Sequence, residues 1–367
     1  MLTKNLKIAV AMSGGVDSSV AAALLKEQGY QVTGVMMKIW DGPDSSEAGE
    51  NARHGCYGPG EAGDIADAEK VARIIDIPFY VFDLTEEYRA EVLKYFRLEY
   101  LAGRTPNPCV RCNRSLKFGA LVRRIEHSGI DFDYLATGHY ARGGYDEISQ
   151  RYLLKKGRDL DKDQSYFIAM LSQEQLSRAI FPIGEYTKAE VRKLAADFGL
   201  NVANKAESQD FVAGGYSSLL PETPPGPILD KAGNLLGEHP RNSTYTIGQR
   251  RGLGLSSHDP LFVIDIEPEQ NAVIVGGKED LYSDELIVSG PNWVAINTLS
   301  GTLRVKVKLR SRHREADAEI TPLSGDKVRV KFSQPQMAIT PGQTVVFYQD
   351  DIVIGAGTIE NKGEEHG

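Results

Sequence analysis

The chain has 367 residues, 41% hydrophobic and 25% charged, with a formal net charge of −8; that is the composition of a soluble globular protein long enough for two or three domains with real cores. The acidic balance argues against a generally basic nucleic-acid binder, so any nucleic-acid contact has to come from a local patch. No apolar run approaches the ~18 residues of a membrane span, no signal-peptide pattern opens the chain, and three cysteines are too few and too odd for a disulfide scaffold, so no membrane partner and a reducing cytoplasm are expected.

Leu6 to Val10 predicts a first strand, and Ser19 to Gln28, stopped by Gly29, a helix. Between them stands Ala11-Met12-Ser13-Gly14-Gly15-Val16-Asp17-Ser18. Strand, glycine-rich turn and helix form an anion-binding geometry: glycines let the backbone approach closely, and N–H groups at the positive helix end favour negative charge. Ser13 and Ser18 add hydroxyls. Asp17 is the odd member, because a carboxylate beside phosphates repels them unless a metal bridges the two, so it is read as a magnesium-side residue. The Walker pattern is excluded because no lysine follows the glycines, and the dinucleotide fingerprint is absent. Ser-Gly-Gly-x-Asp-Ser resembles the PP-loop of ATP pyrophosphatases, enzymes that split ATP into AMP and pyrophosphate; the competing reading is an ordinary glycine turn.

Gln31 to Met37 predicts the second strand. Trp40 to Gly63, with Cys56, reads as a long functional or mobile loop. A helix over Asp64 to Ile75, a strand over Phe79 to Phe82 and a long helix over Glu86 to Leu101 follow. Arg104 to Asn113, with two prolines, reads as an extended turn. Next come a helix, Leu116 to Ile125, and a fourth strand, Tyr134 to Thr137, ending in Gly138-His139-Tyr140-Ala141. Alternating strands and helices predict an α/β fold, a doubly wound parallel sheet with its ligand at the carboxyl ends of the strands. Thr187-Lys188-Ala189-Glu190 is a capping box for a helix over Lys188 to Phe198. After Lys205 prolines and glycines become frequent. From about residue 286 the period becomes two, which predicts a small antiparallel β-barrel. The expected divisions are 1–208, a small mixed domain over 209–285, a barrel over 286–361 and a disordered tail over 362–367.

Arg304, Lys306, Lys308, Arg310, Arg312 and Arg314 occupy every second position. On a continuing strand all six would share one face, a local footprint for a polyanion; the alternative is a solvated edge strand guarded by charge. Cys109 and Cys112 form C-x-x-C, which by itself reads as half a zinc site, a redox pair or a catalytic thiol with a neighbour. With Cys56 they could also hold three irons of a 4Fe–4S cluster and leave the fourth open. Arg111 and a helix start after Asn113 are expected to lower the thiol pKa. A loop that splits ATP, a thiol pair and a polyanion patch fit one chemistry: ATP adenylates an oxygen on a nucleic-acid base, and sulfur displaces it.

Nearly end to end the sequence resembles the bacterial tRNA-specific 2-thiouridylases. The resemblance rests on residues 11–18, Met37, Gly-Arg-Thr-Pro-Asn-Pro at 103–108, Cys112-Asn113, Gly138-His139-Tyr140-Ala141, 162–166, Tyr245 to Arg250 and Thr340 to Gln343. It implies a PP-loop domain, a central domain and a β-barrel that thiolate the wobble uridine of tRNA. It implies ATP binding by Ala11, Met12, Ser13, Gly14, Gly15, Val16, Asp17, Ser18, Met37 and Gly138, and Cys112 as the catalytic thiol. It implies tRNA contacts at Asn107, Pro108, Cys109, His139, Lys162, Asp163, Gln164, Arg310, Ser311 and Gln343. ATP and Mg2+ would be required, with a persulfide carrier protein or sulfide as sulfur donor.

Three departures stand out. The family usually has Asp where this chain has Cys109; its second, persulfide-carrying cysteine is missing after Glu207-Ser208-Gln209; and a glycine expected near Arg241 is replaced. The expectation is therefore a variant in which Cys56, Cys109 and Cys112 bind a 4Fe–4S cluster presenting sulfide, or one in which a persulfide on Cys112 or Cys109 resolves as a disulfide within C-x-x-C. A PP-loop amidating ligase and a non-catalytic tRNA-binding protein are the competing classes. The first leaves the thiols unused, and the second leaves Asp17 unexplained.

Overall fold

The computed structural model describes residues 5–42, 55–203, 205, 210–212, 219–220, 223–240 and 245–361. The expectations for 207–209, Arg241 and the tail over 362–367 lie outside the described residues. The chain divides into two compact units, one of Met1–Val92, Cys109–Gly215 and Asp351–Val353, the other of Leu93–Pro108, Tyr216–Asp350 and Ile354–Gly367.

The chain begins β1 (Lys7–Ala11), α1 (Val16–Glu27), β2 (Gln31–Lys38), β3 (Gly55–Tyr57), α2 (Glu61–Ile74), β4 (Phe79–Asp83) and α3 (Thr85–Tyr88). A π-helical turn, Arg89–Leu93, leads from α3 into α4 (Lys94–Leu101). α5 (Pro108–Cys112) passes through a second π-helical stretch, Asn113–Ala120, into α6 (Leu121–His127). Then come β5 (Tyr134–Thr137), β6 (Ala141–Asp146), β7 (Arg151–Lys156), α7 (Ser165–Ile168), α8 (Gln173–Ser177), β8 (Ala179–Ile180), α9 (Lys188–Asp197) and β9 (Asp210–Val212).

β4, β2, β1, β5 and β8 lie side by side in that order, all parallel. The chain builds outward from β1 through β2 to β4, then returns to β1's other side for β5. The strands' carboxyl ends therefore open a crevice between β1 and β5, where doubly wound sheets bind ligands. Ile8, Ala9 and Val10 of β1 are buried, as befits a central parallel strand covered on both faces. Val16, Val20 and Leu24 of α1 share one core with Val191 and Ala195 of α9. The capping box holds α9 in place: Thr187 N–H donates to Glu190 Oε2 (2.7 Å) and Glu190 N–H to Thr187 Oγ1 (3.3 Å).

Two readings of this unit are corrected. Residues 108–112 are helical, because proline at the first helical position already has a helical φ and lacks only an N–H that would be unpaired there. The stretch from Trp40 to Gly63 is not loop throughout: β3 crosses it and α2 begins at Glu61, whose buried carboxylate caps the end of β2 by accepting from Ile39 N–H (2.7 Å) and Trp40 N–H (3.1 Å).

In the second unit β10 (Gly226–Leu229), β11 (Leu235–His239), β12 (Phe262–Glu267) and β13 (Ala272–Gly276) form one sheet around Ile228, Tyr245, Val263, Val273 and Val275. β14 (Tyr282–Trp293), β15 (Leu303–Lys308), β16 (Ala316–Leu323), β17 (Lys327–Met337), β18 (Thr344–Gln349) and β19 (Ile352–Ile359) follow. In the order β14-β17-β16-β15-β18-β19, with β14 also paired to β19, they close an antiparallel barrel.

The continuous basic strand is also corrected. β15 ends at Lys308, so Arg310, Arg312 and Arg314 do not extend its face. Within β15 the cations meet acids on the next strand, Arg304 Nε on Glu319 Oε1 (3.1 Å) and Lys306 Nζ on Asp317 Oδ1 (2.8 Å). Opposed alternation on β16 neutralises a face that looks uniformly positive along one strand. Among the described residues no helix is long and apolar enough to cross a membrane.

Candidate active site

The loop after β1 is shaped for an anion. Gly14 adopts φ +68°, and a Cβ there would lie 2.3 Å from the Asp64 carbonyl oxygen, so only glycine fits. Gly15 caps α1 without any side-chain bond to the first turn, so no capping side chain occupies the backbone donors at the positive helix end. Ser13 N–H donates to Ser18 Oγ (3.1 Å), and Ser19 Oγ donates to Gly15 O (2.7 Å), which tightens the turn. Gly138, leaving β5, lies against the start of α1: a Cβ there would sit 2.5 Å from Ser18 N. The fold thus brings residues 11–18 and Gly138 together at the switch point. Met12 turns its side chain into the core, where Gly34 leaves room for its sulfur; Met37 lies near the carboxyl end of β2.

Charges from far along the chain complete this loop. Asp17 accepts from the Tyr140 hydroxyl at 2.8 Å and from Lys188 Nζ on both carboxylate oxygens, at 2.8 and 2.9 Å. Lys205 Nζ donates to Gly14 O (3.0 Å), Asp64 Oδ1 (2.7 Å) and Asp67 Oδ2 (2.7 Å), pinning the loop to α2. Sequence reasoning missed both lysines. The available signal for Lys188 was its place at the first position of a capped helix.

Cys109 and Cys112 stand in the first turn and at the end of α5, three residues apart and so on one helical face. Cys56, on β3, shares their surroundings: the thiols of Cys112, Cys56 and Cys109 all act on the buried Tyr88 hydroxyl, which burial above all pushes well above the ordinary phenol range. Tyr57, beside Cys56, stacks on Tyr88 with ring centres 5.0 Å apart, and Trp40 meets Tyr57 edge-on at 4.7 Å. Asp64 belongs to both places, because its backbone abuts Gly14 while its carboxylate acts on Cys56.

The expected low thiol pKa is reversed. Burial pushes the Cys112 thiol up to about 11, and the Cys56 thiol adds to the rise; Lys117 alone opposes it. Arg111 is committed elsewhere, with Nη2 on Glu91 Oε2 at 2.6 Å, and the helix runs on past Cys112, so no N-terminus points at it. Desolvation raises the Cys56 thiol pKa as well, with Lys117 opposing and Asp64 adding. Lys117 is itself held by Asn113 Oδ1 (3.0 Å), and Asn113 Nδ2 donates to Phe167 O (3.1 Å).

β9 runs beside β3, with Gly55 opposite Asp210 and Tyr57 opposite Val212. The segment that lacks the second cysteine therefore returns alongside Cys56. None of the three cysteines is in a disulfide, and among the described residues no group of three or more His, Cys, Asp or Glu side chains is arranged to hold a metal ion.

The remaining expected residues fall in several settings. His139 is buried, its Nδ1 2.8 Å from Thr137 Oγ1, and burial with the Lys117 charge holds its pKa well below the usual histidine value. Asp163 accepts from Gly157 N–H (3.1 Å), Ser165 N–H (3.0 Å) and Ser165 Oγ (3.0 Å), and Gln164 Oε1 accepts from Tyr140 N–H (3.0 Å). With Lys162, half-buried, they form the turn before α7. Asn107 precedes α5 and Pro108 opens it. In the second unit Gln343 Nε2 donates to Thr105 O (2.9 Å) and Pro106 O (3.1 Å), and Arg310 Nη2 to Ala338 O; Ser311 lies in the turn after β15.

The parallel sheet, its anion loop at the switch point and the closed barrel define a multidomain protein built on a nucleotide-binding α/β domain. Residues 6–213 match the family described as tRNA methyl transferase HUP domain, 217–277 the tRNA methyl transferase PRC-barrel domain, and 283–359 the aminomethyltransferase beta-barrel domain. The chain is 50% identical to the tRNA-specific 2-thiouridylase MnmA 1 of Caldanaerobacter subterraneus subsp. tengcongensis, over 98% of this chain and 99% of that one. It is 50% identical to the tRNA-specific 2-thiouridylase MnmA of Moorella thermoacetica over 96% and 99%, and 47% identical to that of Endomicrobium trichonymphae over 96% and 99%. The chain belongs to the tRNA-specific 2-thiouridylase family.

Proposed function

We propose that the protein is an ATP-dependent tRNA sulfurtransferase that replaces the C2 oxygen of the wobble uridine by sulfur, releasing AMP and pyrophosphate. The observation that carries this reading is the presence in one unit of an anion loop at the sheet's switch point and a thiol group, joined through Asp64. The loop residues 11–18, with Met37 and Gly138, bind ATP. The positive end of α1 and the loop's backbone donors receive its phosphates. Asp17 would give magnesium a hard oxygen donor beside that nest, and the ion would neutralise charge on the phosphates.

Cys112 carries the sulfur step, and Cys109 lies on the same helical face. Asn107 to Cys109, His139, Lys162 to Gln164, Arg310, Ser311 and Gln343 serve the tRNA. Residues 1–208 form the catalytic domain, 209–285 the central domain and 286–361 the tRNA-contacting barrel.

The sulfur donor is a persulfide carrier or sulfide. A 4Fe–4S cluster held by Cys56, Cys109 and Cys112 would place each thiolate on a different iron, so the set need not converge on one ion. When bound, such a cluster supplies an open iron for inorganic sulfide. Cys56, on the strand paired with β9, would supply the third ligand. The thiol-only route is favoured by the spacing of Cys109 and Cys112, where a persulfide on one can resolve as a disulfide with the other. Anaerobic reconstitution with iron and acid-labile sulfide analysis separates them: no cluster, with full activity in Cys56→Ala, sinks the iron reading. Release of pyrophosphate stimulated by tRNA, with a thiolated nucleoside as product, tests the function; an aminated base would point to an amidating ligase.

A further inference from the structure

We propose that Lys188 is a catalytic residue of the adenylation step, leaving Asp17 to bind the pyrophosphate group when nucleotide enters the loop; the proposal rests on the ATP-splitting role given above. In that step the uracil C2 oxygen forms a bond to the α-phosphorus. The bond from that phosphorus to the oxygen bridging the β-phosphate breaks, its electron pair leaves with pyrophosphate, and the N3 proton of the uracil passes to solvent. Negative charge therefore grows on the leaving group, at a loop whose own side chains include one carboxylate and no cation.

Lys188 is the cation the fold brings to that carboxylate, with only 12% of its side chain exposed. Its Nζ spans both Asp17 oxygens at 2.8 and 2.9 Å and lies 5.8 Å from the Tyr140 ring centre, while the Tyr140 hydroxyl bonds the same carboxylate. Asp17 is in the first turn of α1, so the ammonium is within one side chain of the phosphate nest. Lys188 is also rigidly placed. It opens a helix closed by a two-sided capping box, and its own N–H donates to Asp159 Oδ2 at 2.9 Å.

The exchange is chemically open because Asp17 is not stranded when Lys188 moves: Tyr140 still donates to it, and a metal or water can take the vacated oxygen. The contrasting case is Lys205, which bonds a loop carbonyl and two α2 carboxylates and so holds the loop's shape.

Binding of inorganic pyrophosphate, followed by calorimetry without added metal, provides the test. Asp17→Asn removes the repulsive carboxylate and the rival for the ammonium, and is expected to tighten pyrophosphate binding. Lys188→Met on that Asp17→Asn background is then expected to weaken it by about ten- to hundredfold, the loss of one charge-assisted contact, with Lys188→Arg recovering most of the loss. Equal affinity of Asp17→Asn with and without Lys188→Met would overturn the proposal, since an ammonium that merely offset Asp17 has nothing left to do there. Melting temperature and tRNA retention check folding, and Lys188→Gln replaces the methionine variant if that one melts early. Wild-type protein with ATP and tRNA runs alongside. No pyrophosphate release there defeats the functional reading and this proposal together, whereas pyrophosphate release with an unaffected double variant defeats this proposal alone.

Discussion

The nucleotide loop and the thiol group lie in the same unit and are built on opposite principles. The loop works through backbone: glycines, a helix start and short hydroxyl bonds, with its one carboxylate balanced by Lys188 and its shape held by Lys205. The thiol group works through side chains from β3 and α5 set into a desolvating wall. One site is poised for charge before its ligand arrives; the other suppresses charge until a partner or sulfur species changes its surroundings. Activation and sulfur transfer should therefore fail separately.

The most damaging single change should be Gly14→Ala. Its Cβ would meet the Asp64 carbonyl at 2.3 Å in a backbone conformation that costs a non-glycine residue about 1–2 kcal/mol even without the clash. ATP binding is expected to be lost and stability to fall by about 2–4 kcal/mol; calorimetric nucleotide titration and urea unfolding measure the two. Normal ATP binding in this variant would break the backbone half of the comparison.

The thiol half is sharpened by alkylation of the metal-free protein. With its pKa at about 11 against an ordinary 9.0, Cys112 should react with iodoacetamide at pH 7.5 about a hundredfold more slowly than a free thiol, because only thiolate reacts. Peptide mapping of the labelled cysteine reads the rate, and a rate equal to that of free cysteine would contradict the desolvation account.

A smaller effect tests the same burial through pH. His139 has a folded pKa well below its unfolded value of about 6.5. The unfolded chain thus binds the extra proton first, and stability falls as pH drops below that value, by at most about 1.4 kcal/mol per pH unit. Above about pH 6.5 this contribution is flat. His139→Gln should remove that share of the acid limb in denaturant unfolding at pH 5–7, and an unchanged limb would place the loss elsewhere.

The least effect is expected on β15. Arg304→Ala and Lys306→Ala each break one exposed cross-strand pair, so stability should stay within about 1 kcal/mol of wild type. With Glu319 and Asp317 beside them, each is expected to change tRNA affinity less than about twofold, below the one-phosphate change in salt slope that a direct contact carries. A filter-binding salt series gives the answer.

What the sequence made legible follows the same division. β1, β2, β4 and β5 could be read because each is a short apolar run, β8 with its two residues could not, and residues 11–18 were legible because a backbone nest is contiguous by nature. The hairpin of β6 and β7 was missed, its strands carrying glycines, arginines and lysines in place of a clean alternation. Lys188 and Lys205 act on partners 171 and 191 positions away, which no local pattern encodes. The thiols were found by type and spacing, but their pKa was read from neighbouring charges in the chain, and desolvation, a property of the folded surroundings, reversed the sign. The basic strand misled for a related reason: its acids come from β16.

The central claim, that the loop activates a tRNA uridine which the Cys112 thiol group then thiolates, is tested most directly by mass analysis of nucleosides from tRNA incubated with protein, ATP and, in parallel samples, sulfide or a persulfide donor, with and without Cys112→Ala. The account predicts an ATP-dependent 2-thiouridine product from the wild type and none from Cys112→Ala, while pyrophosphate is still released by both. A thiolated product that survives Cys112→Ala, or no thiolated nucleoside from wild-type protein that does split ATP, would contradict it.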